Sequence, residues 1–265
     1  MQLALLFLLG LILGSFLNAL VYRMHAGQDW IKSRSQCEAC GHQLAALDLV
    51  PVLSWLMLKG RCRYCGKKIS WQHPAVELAA GLAFAASYLW WPVNLDQPGQ
   101  HLLFAGWTIC LAGLVALAVY DLRFMLLPNK IIYPTLLVSV VVRVIYIFGY
   151  QPNKLHALAA WAASLAVASG LFLAIFVVSR GKWIGYGDVR LGLITGTILA
   201  DPAKAFLMIF AASLLGSLVS IGLILAGRKS LGSKIPFGPY LITGTFLALL
   251  FGPGIISWYN RIFLG

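Results

Sequence analysis

Eight acidic residues are the chain's whole supply of carboxylate chemistry, so each can be weighed by its position. Asp29, Glu38 and Asp48 lie in a polar stretch near the N-terminus, and Asp96 and Asp201 in short breaks between apolar runs. Solvation accounts for all five. Glu77, Asp121 and Asp188 stand instead at or inside the ends of apolar runs, where an ionisable group points to function. Asp188 closes Gly185-Tyr186-Gly187-Asp188, and 12 residues separate it from Asp201. As a helix those residues cover about 18 Å of a hydrocarbon core roughly 30 Å thick, which sets Asp188 well below the membrane surface. Gly185 and Gly187 support it there: irregular backbone at that depth must line protein or water, and glycine leaves room for another segment to approach. Asp121 precedes Leu122-Arg123-Phe124-Met125-Leu126-Leu127-Pro128-Asn129. Taken alone it reads as a solvated helix-end acid near Arg123. Paired with Asp188 it supplies the minimum for a carboxyl dyad, in which like charges keep one group protonated. The ionised group takes a proton from water, and the protonated one donates to a scissile carbonyl.

Cysteine gives the second constellation. Cys37-x-x-Cys40 and Cys62-x-x-Cys65 each run directly into a glycine, Gly41 or Gly66, and 21 residues separate the pairs. Two such pairs make a tetrahedral thiolate site for structural zinc, with iron also compatible with four sulfurs. The glycine lets the chain turn with positive φ behind the second sulfur. Two disulfides are the competing reading, and a reducing compartment disfavours them. Cys110 lies alone in an apolar run and reads as a packing residue. His25, His42 and His73 read as surface or interface residues.

The elements that must hold these groups follow from composition. Of 265 residues 60% are hydrophobic and 11% charged. A soluble, disordered or disulfide-scaffold protein is thereby excluded, because too little charge is available to cover a water-facing surface. Eight segments read as spans: 3–22, 75–92, 102–120, 131–149, 155–178, 184–200, 203–226 and 237–258. The expected fold is an all-α polytopic membrane protein of about eight transmembrane helices with a small cytoplasmic zinc knuckle. It divides into a first helix (1–22), a tetra-Cys insert (23–73) and a seven-helix membrane domain bearing the aspartates (74–265). The first run reads as a retained anchor rather than a cleaved signal.

The net charge of +12 would suggest nucleic acid on a soluble protein. Here the basic residues sort by face. Sixteen fall on the side of the Cys insert, among them Arg23, Lys32, Arg63, Arg123, Arg180 and Arg228. Only Arg143, Lys154, Lys204 and Arg261 fall on the other. This places the insert in the cytoplasm and both termini outside, with anionic lipid as partner and no nucleic acid. Arg143, inside an apolar run, is expected to snorkel to the outer surface.

The chain resembles the type IV prepilin peptidases, membrane-embedded aspartic proteases of the GxGD type in the bacterial inner membrane. Seven blocks carry the resemblance along the whole length: Gly14-Ser15-Phe16-Leu17-Asn18 with Arg23; the two Cys pairs; Asp48 to Trp55; His73-Pro74-Ala75-Val76-Glu77-Leu78; Asp121 to Asn129; Gly185 to Asp188; and Ile235-Pro236-Phe237-Gly238-Pro239. The chain departs from the pattern at Glu38, where the family usually has Pro, and at His73, where it usually has Tyr. The resemblance implies that Asp121 and Asp188 are catalytic. It also implies removal of the basic leader of a prepilin or pseudopilin after a glycine, at the cytoplasmic face. For many members it adds N-methylation of the new N-terminal residue from S-adenosylmethionine. No Gly-x-Gly-x-x-Gly pattern marks a site for that donor. Glu77 is a candidate for substrate or amine binding, or else an acid favoured by the helix dipole. The sequence sets no oligomeric state. A proton-coupled transporter or channel, and a non-catalytic zinc-anchored scaffold, are the readings from other classes.

Overall fold

A computed structural model of the chain describes residues 1–29, 34–37, 39–230 and 233–263. The expectations placed on Lys32 and Glu38 lie outside the described residues. Among those residues the regular structure is helical, apart from the isolated bridges Gln36–Gln43 and Arg61–Lys68. The helices are α1 (Gln2–His25), α2 (Leu53–Met57), α3 (Gln72–Leu89), α4 (Gln100–Phe124), α5 (Asn129–Tyr150), α6 (Lys154–Leu165), α7 (Leu171–Ser179), α8 (Tyr186–Leu199), α9 (Pro202–Leu225), α10 (Gly238–Leu250) and α11 (Gly252–Phe263). A π-helical turn, Ala166–Gly170, joins α6 to α7.

Two compact units form, Met1–Leu89 and Trp90–Gly265. In the first, α1 packs against α3. The seam is made of small residues four apart. A Cβ on Gly10 would stand 2.7 Å from the Ala80 carbonyl oxygen, and one on Gly14 2.7 Å from Glu77 Cα. In lipid there is no hydrophobic gain in joining two apolar helices, so close backbone contact of this kind supplies the attraction.

In the second unit α4 packs on α5 and α10, α10 on α9, and α8 on α5, α6 and the π turn. Helix α8 meets that turn through Gly192, where a Cβ would come within 2.5 Å of the Ala168 carbonyl oxygen. Ser164 and Ser169 hydroxyls donate to the Gly196 and Val189 carbonyls, each at 2.9 Å. The turn therefore opens the backbone where the aspartate-bearing helix comes closest. At the far end Asp201 caps α9, accepting the Ala203 and Lys204 N–H groups at 2.8 and 3.1 Å.

Five helical segments are long and apolar enough to cross a membrane, or six if the α10–α11 pair, bent by 69°, counts as one span. The expected spans 75–92 and 184–200 do form helices, α3 and α8, but neither meets that test. Helix α3 opens on Gln72 and His73 and carries Glu77. Helix α8 has 14 residues, about 21 Å of a core roughly 30 Å thick. Arg143 meets protein at its end of the apolar run: its guanidinium donates to the Thr197 and Ile198 carbonyls at 3.1 and 2.5 Å. Those carbonyls end α8 without intrahelical partners, and a cation there complements the helix dipole.

Candidate active site and metal centre

Asp121 sits in the last turn of α4, which stops at Phe124 because Met125 takes a left-handed conformation with φ +53°. Leu126 to Pro128 then lead into α5. Asp188 is the third residue of α8, and Gly185 precedes that helix in an extended conformation. Both acids belong to the second unit, and the Asp121 charge acts on Asp188. Asp121 is 6% exposed. Gly238 donates its backbone N–H to Asp121 Oδ2 at 3.0 Å, and the Asp188 N–H donates to the Gly185 carbonyl at 3.1 Å. The two loops and the start of α10 therefore converge on one pair of acids.

The glycines around the pair differ in what they do. Neither Gly185 nor Gly187 has positive φ. A Cβ on Gly185 would stand 3.7 Å from Asp188 Oδ2, an ordinary contact. On Gly187 it would press on the Leu127 side chain at 3.1 Å. The approach expected from another segment is thus that of the loop after Asp121, made through a side chain. Gly238 is the tightest of the three: a Cβ there would stand 2.6 Å from Asp121 Oδ2. Reading the acids alone left Gly238 without a task. Its only signal was its place in the Ile235 to Pro239 block.

The four knuckle cysteines come together as expected. Cys37, Cys40, Cys62 and Cys65 hold their Sγ atoms within 4.8 Å of one another, with Cys37 and Cys65 at 3.9 Å. A tetrahedron with metal–sulfur arms of 2.3 Å has edges of about 3.8 Å, so the four thiols fit a single ion. All five cysteines are free. The two knuckles repeat each other. Cys37 N–H donates to the His42 carbonyl and Cys62 N–H to that of Lys67, each at 2.9 Å. Gly41 and Gly66 turn with φ +69° and +68°. The Ala39 and Cys40 amides lower the Cys37 thiol to about 7, which favours the thiolate a metal needs.

Asp48 is more than a solvated acid, for it ties the knuckles to the loop between them. Its side chain is 3% exposed and meets Arg63 Nε at 2.7 Å. It also accepts the Tyr64 hydroxyl at 3.0 Å and the Ala45 N–H at 3.1 Å. Burial opposes its ionisation, but the Ala45, Tyr64 and Arg63 donors outweigh that and hold the carboxyl below its usual range. Tyr64 in turn faces His42 with ring centroids 3.7 Å apart. Cys110 stays apart from the metal cluster, buried against the Thr135 carbonyl.

Glu77 lies in the first unit, 7% exposed, and accepts the Val52 N–H at 2.7 Å. Asn18, beside it on α1, donates from Nδ2 to the His73 carbonyl at 3.2 Å.

Comparison with known proteins gives the same division of the chain. Residues 8–91 match the bacterial peptidase A24 N-terminal domain and residues 108–221 the type IV leader peptidase family. A prepilin leader peptidase/N-methyltransferase of Bacillus subtilis is 34% identical over 266 residues, covering 100% of both chains. Proteins of the same name from Aeromonas salmonicida and Pseudomonas putida are 32% and 31% identical. They cover 97% and 94% of this chain and 93% and 90% of their own. No solved structure matches it.

Proposed function

Since the chain belongs to the type IV leader peptidase family and is therefore a peptidase, we propose that it is an intramembrane aspartic endopeptidase acting on prepilins or pseudopilins. The observation that carries the proposal is the pair itself: two acids from different helices at the ends of apolar segments, with Asp121 held by the Gly238 N–H and its charge acting on Asp188. Asp121 and Asp188 share one proton. The ionised carboxylate takes a proton from water as its oxygen attacks the scissile carbonyl carbon, and the protonated one donates to the carbonyl oxygen. Collapse of the resulting diol breaks the C–N bond, and the same pair returns a proton to the leaving amine. Because the two acids interact, the proton belongs to the pair rather than to either residue. The transporter and scaffold readings find no support among the relatives, which carry the peptidase name.

In this reading α3 and α8 complete about eight spans. The short α8 and polar α3 are accommodated because protein, not lipid, surrounds their polar groups. The charge asymmetry orients the chain in the bacterial inner membrane, with the knuckle insert cytoplasmic and both termini outside. A cysteine replacing Gln97 should then react with a membrane-impermeant thiol reagent on intact cells, and one replacing Ser70 only after permeabilisation. The reverse pattern would place the basic insert outside and end the leader-peptidase topology.

The four thiolates are proposed to hold structural zinc, which supplies folding free energy to an insert with little core of its own. Purified protein is expected to carry roughly one zinc ion per chain. Cys37→Ser should abolish that zinc and speed hydrogen exchange across residues 34–70. Metal-free protein with protected amides in that segment would show that the knuckles fold without an ion.

The relatives' names support a second activity, N-methylation of the new N-terminus, with S-adenosylmethionine as a second cofactor. That donor would supply an electrophilic methyl group on a positively charged sulfur. Among the described residues no strand exists to build a nucleotide-binding sheet. In the first unit the Glu77 carboxyl and the unpaired Asn18 Oδ1 are buried acceptors, which suit a positively charged ligand.

A further inference from the structure

The first unit buries an acid that the hydrolysis does not use. The Glu77 carboxylate accepts the Val52 N–H at 2.7 Å, and no Lys, Arg or His forms an ion pair with it among the described residues. A carboxylate removed from water is expected to have a cation or to stay protonated. Beside it Asn18 is 2% exposed. Its Nδ2 is satisfied by the His73 carbonyl, while its Oδ1 has no donor. Ser15 and Asn18 are three apart on α1 and so share a face. The missing side chain at Gly14 brings that face against the Glu77 backbone.

The cover of the site is strained. Val52 has φ +62° and ψ −50°, and Leu53 N–H donates back to the Pro51 carbonyl at 2.6 Å, closing a three-residue turn. A β-branched residue rarely adopts that conformation, and such strain persists only where surroundings enforce it. Here the turn is what aims the Val52 N–H at Glu77. A buried carboxylate and an orphaned carbonyl oxygen are both acceptors. Their complement is a positively charged group with several N–H donors.

We propose that Glu77 and the Asn18 Oδ1 form a binding site for a peptide's free N-terminal ammonium. This rests on the peptidase reading, since cleavage is what creates such an end. S-adenosylmethionine also carries an ammonium, and the test separates the two sources.

The test uses full-length protein in lipid nanodiscs. One probe is a pilin-like peptide beginning at Phe with a free amine and labelled at its C-terminus; the other is its N-acetylated twin. Fluorescence anisotropy should show the free amine bound at least about tenfold tighter than the acetylated peptide, and Glu77→Gln should abolish that preference. Glu77→Gln can still accept the Val52 N–H, so the turn is retained. The acetylated comparison on unmutated protein does not depend on any variant. Equal binding of the two peptides, or a preference that survives Glu77→Gln, would overturn the site. So would saturable S-adenosylmethionine binding lost in Glu77→Gln while the peptide preference stays. Leader cleavage is assayed in the same preparation. Cleavage without amine preference removes the site and leaves the peptidase; amine preference without cleavage does the reverse.

Discussion

Asp121→Asn and Asp188→Asn should each lower the rate of leader cleavage by about a thousandfold or more, since general acid–base catalysis of this kind contributes roughly 10²–10⁴ and neither acid can serve both roles alone. An amide at residue 121 still accepts the Gly238 N–H, and the bond from residue 188 N–H to the Gly185 carbonyl does not involve the side chain, so both contacts survive. The fold is therefore expected to hold, with zinc content and thermal unfolding unchanged. The measurement is single-turnover cleavage of a prepilin-like substrate by purified protein. Near-normal turnover in either variant would remove that residue from the chemistry. The double variant should lose no more than the worse single one, because the pair acts as a unit. Multiplying losses would mean that the two acids act independently and that no shared proton exists.

What could be read in advance divides along physical lines. The four-cysteine cluster was legible down to its glycines, because two Cys pairs at fixed spacing admit few arrangements. Gly41 and Gly66 take the positive φ that such a knuckle needs. The aspartates were legible because carboxylates are scarce and stand at the ends of apolar runs. Helices α3 and α8 fail a test of length and apolarity for one reason: such a test does not register whether protein or lipid surrounds a helix. In α8 the cross-section is filled by neighbouring helices, so a short helix with Arg143 at its end suffices. The partners of Arg143 were not legible, because nothing in its own segment reveals that unpaired carbonyls wait at the end of another. Asp48 was misjudged likewise, since its partners Arg63 and Tyr64 are 15 and 16 residues away. The Val52 turn was the least legible feature. A valine carries no sign of positive φ, and the acceptor of its N–H, Glu77, lies 25 residues further on.

Gly238→Ala tests the part of the site that carries no charge. The glycine follows Phe237 at the start of α10, and its N–H is the backbone donor to Asp121. A methyl group there would stand 2.6 Å from the same oxygen that the N–H bonds, well inside contact distance. Side chain and backbone cannot both stay where they are. Either Asp121 rotates away from Asp188, or the start of α10 withdraws and the hydrogen bond is lost. In both cases the acids lose their mutual geometry, and a misplacement of about 1 Å at a reacting group costs on the order of a hundredfold in rate. The expected outcome is a loss of that size in kcat with little change in KM, because the substrate's apolar contacts are untouched. Gly185→Ala provides the contrast. Its backbone is extended and its added methyl would meet Asp188 at an ordinary 3.7 Å, so its loss should be several times smaller. If the two alanines cost the same, the contribution of these glycines is general helix packing and not the seating of Asp121. If Gly238→Ala is active at the unmutated rate, the Gly238 contact does not position the base, and Asp121 must be held from elsewhere.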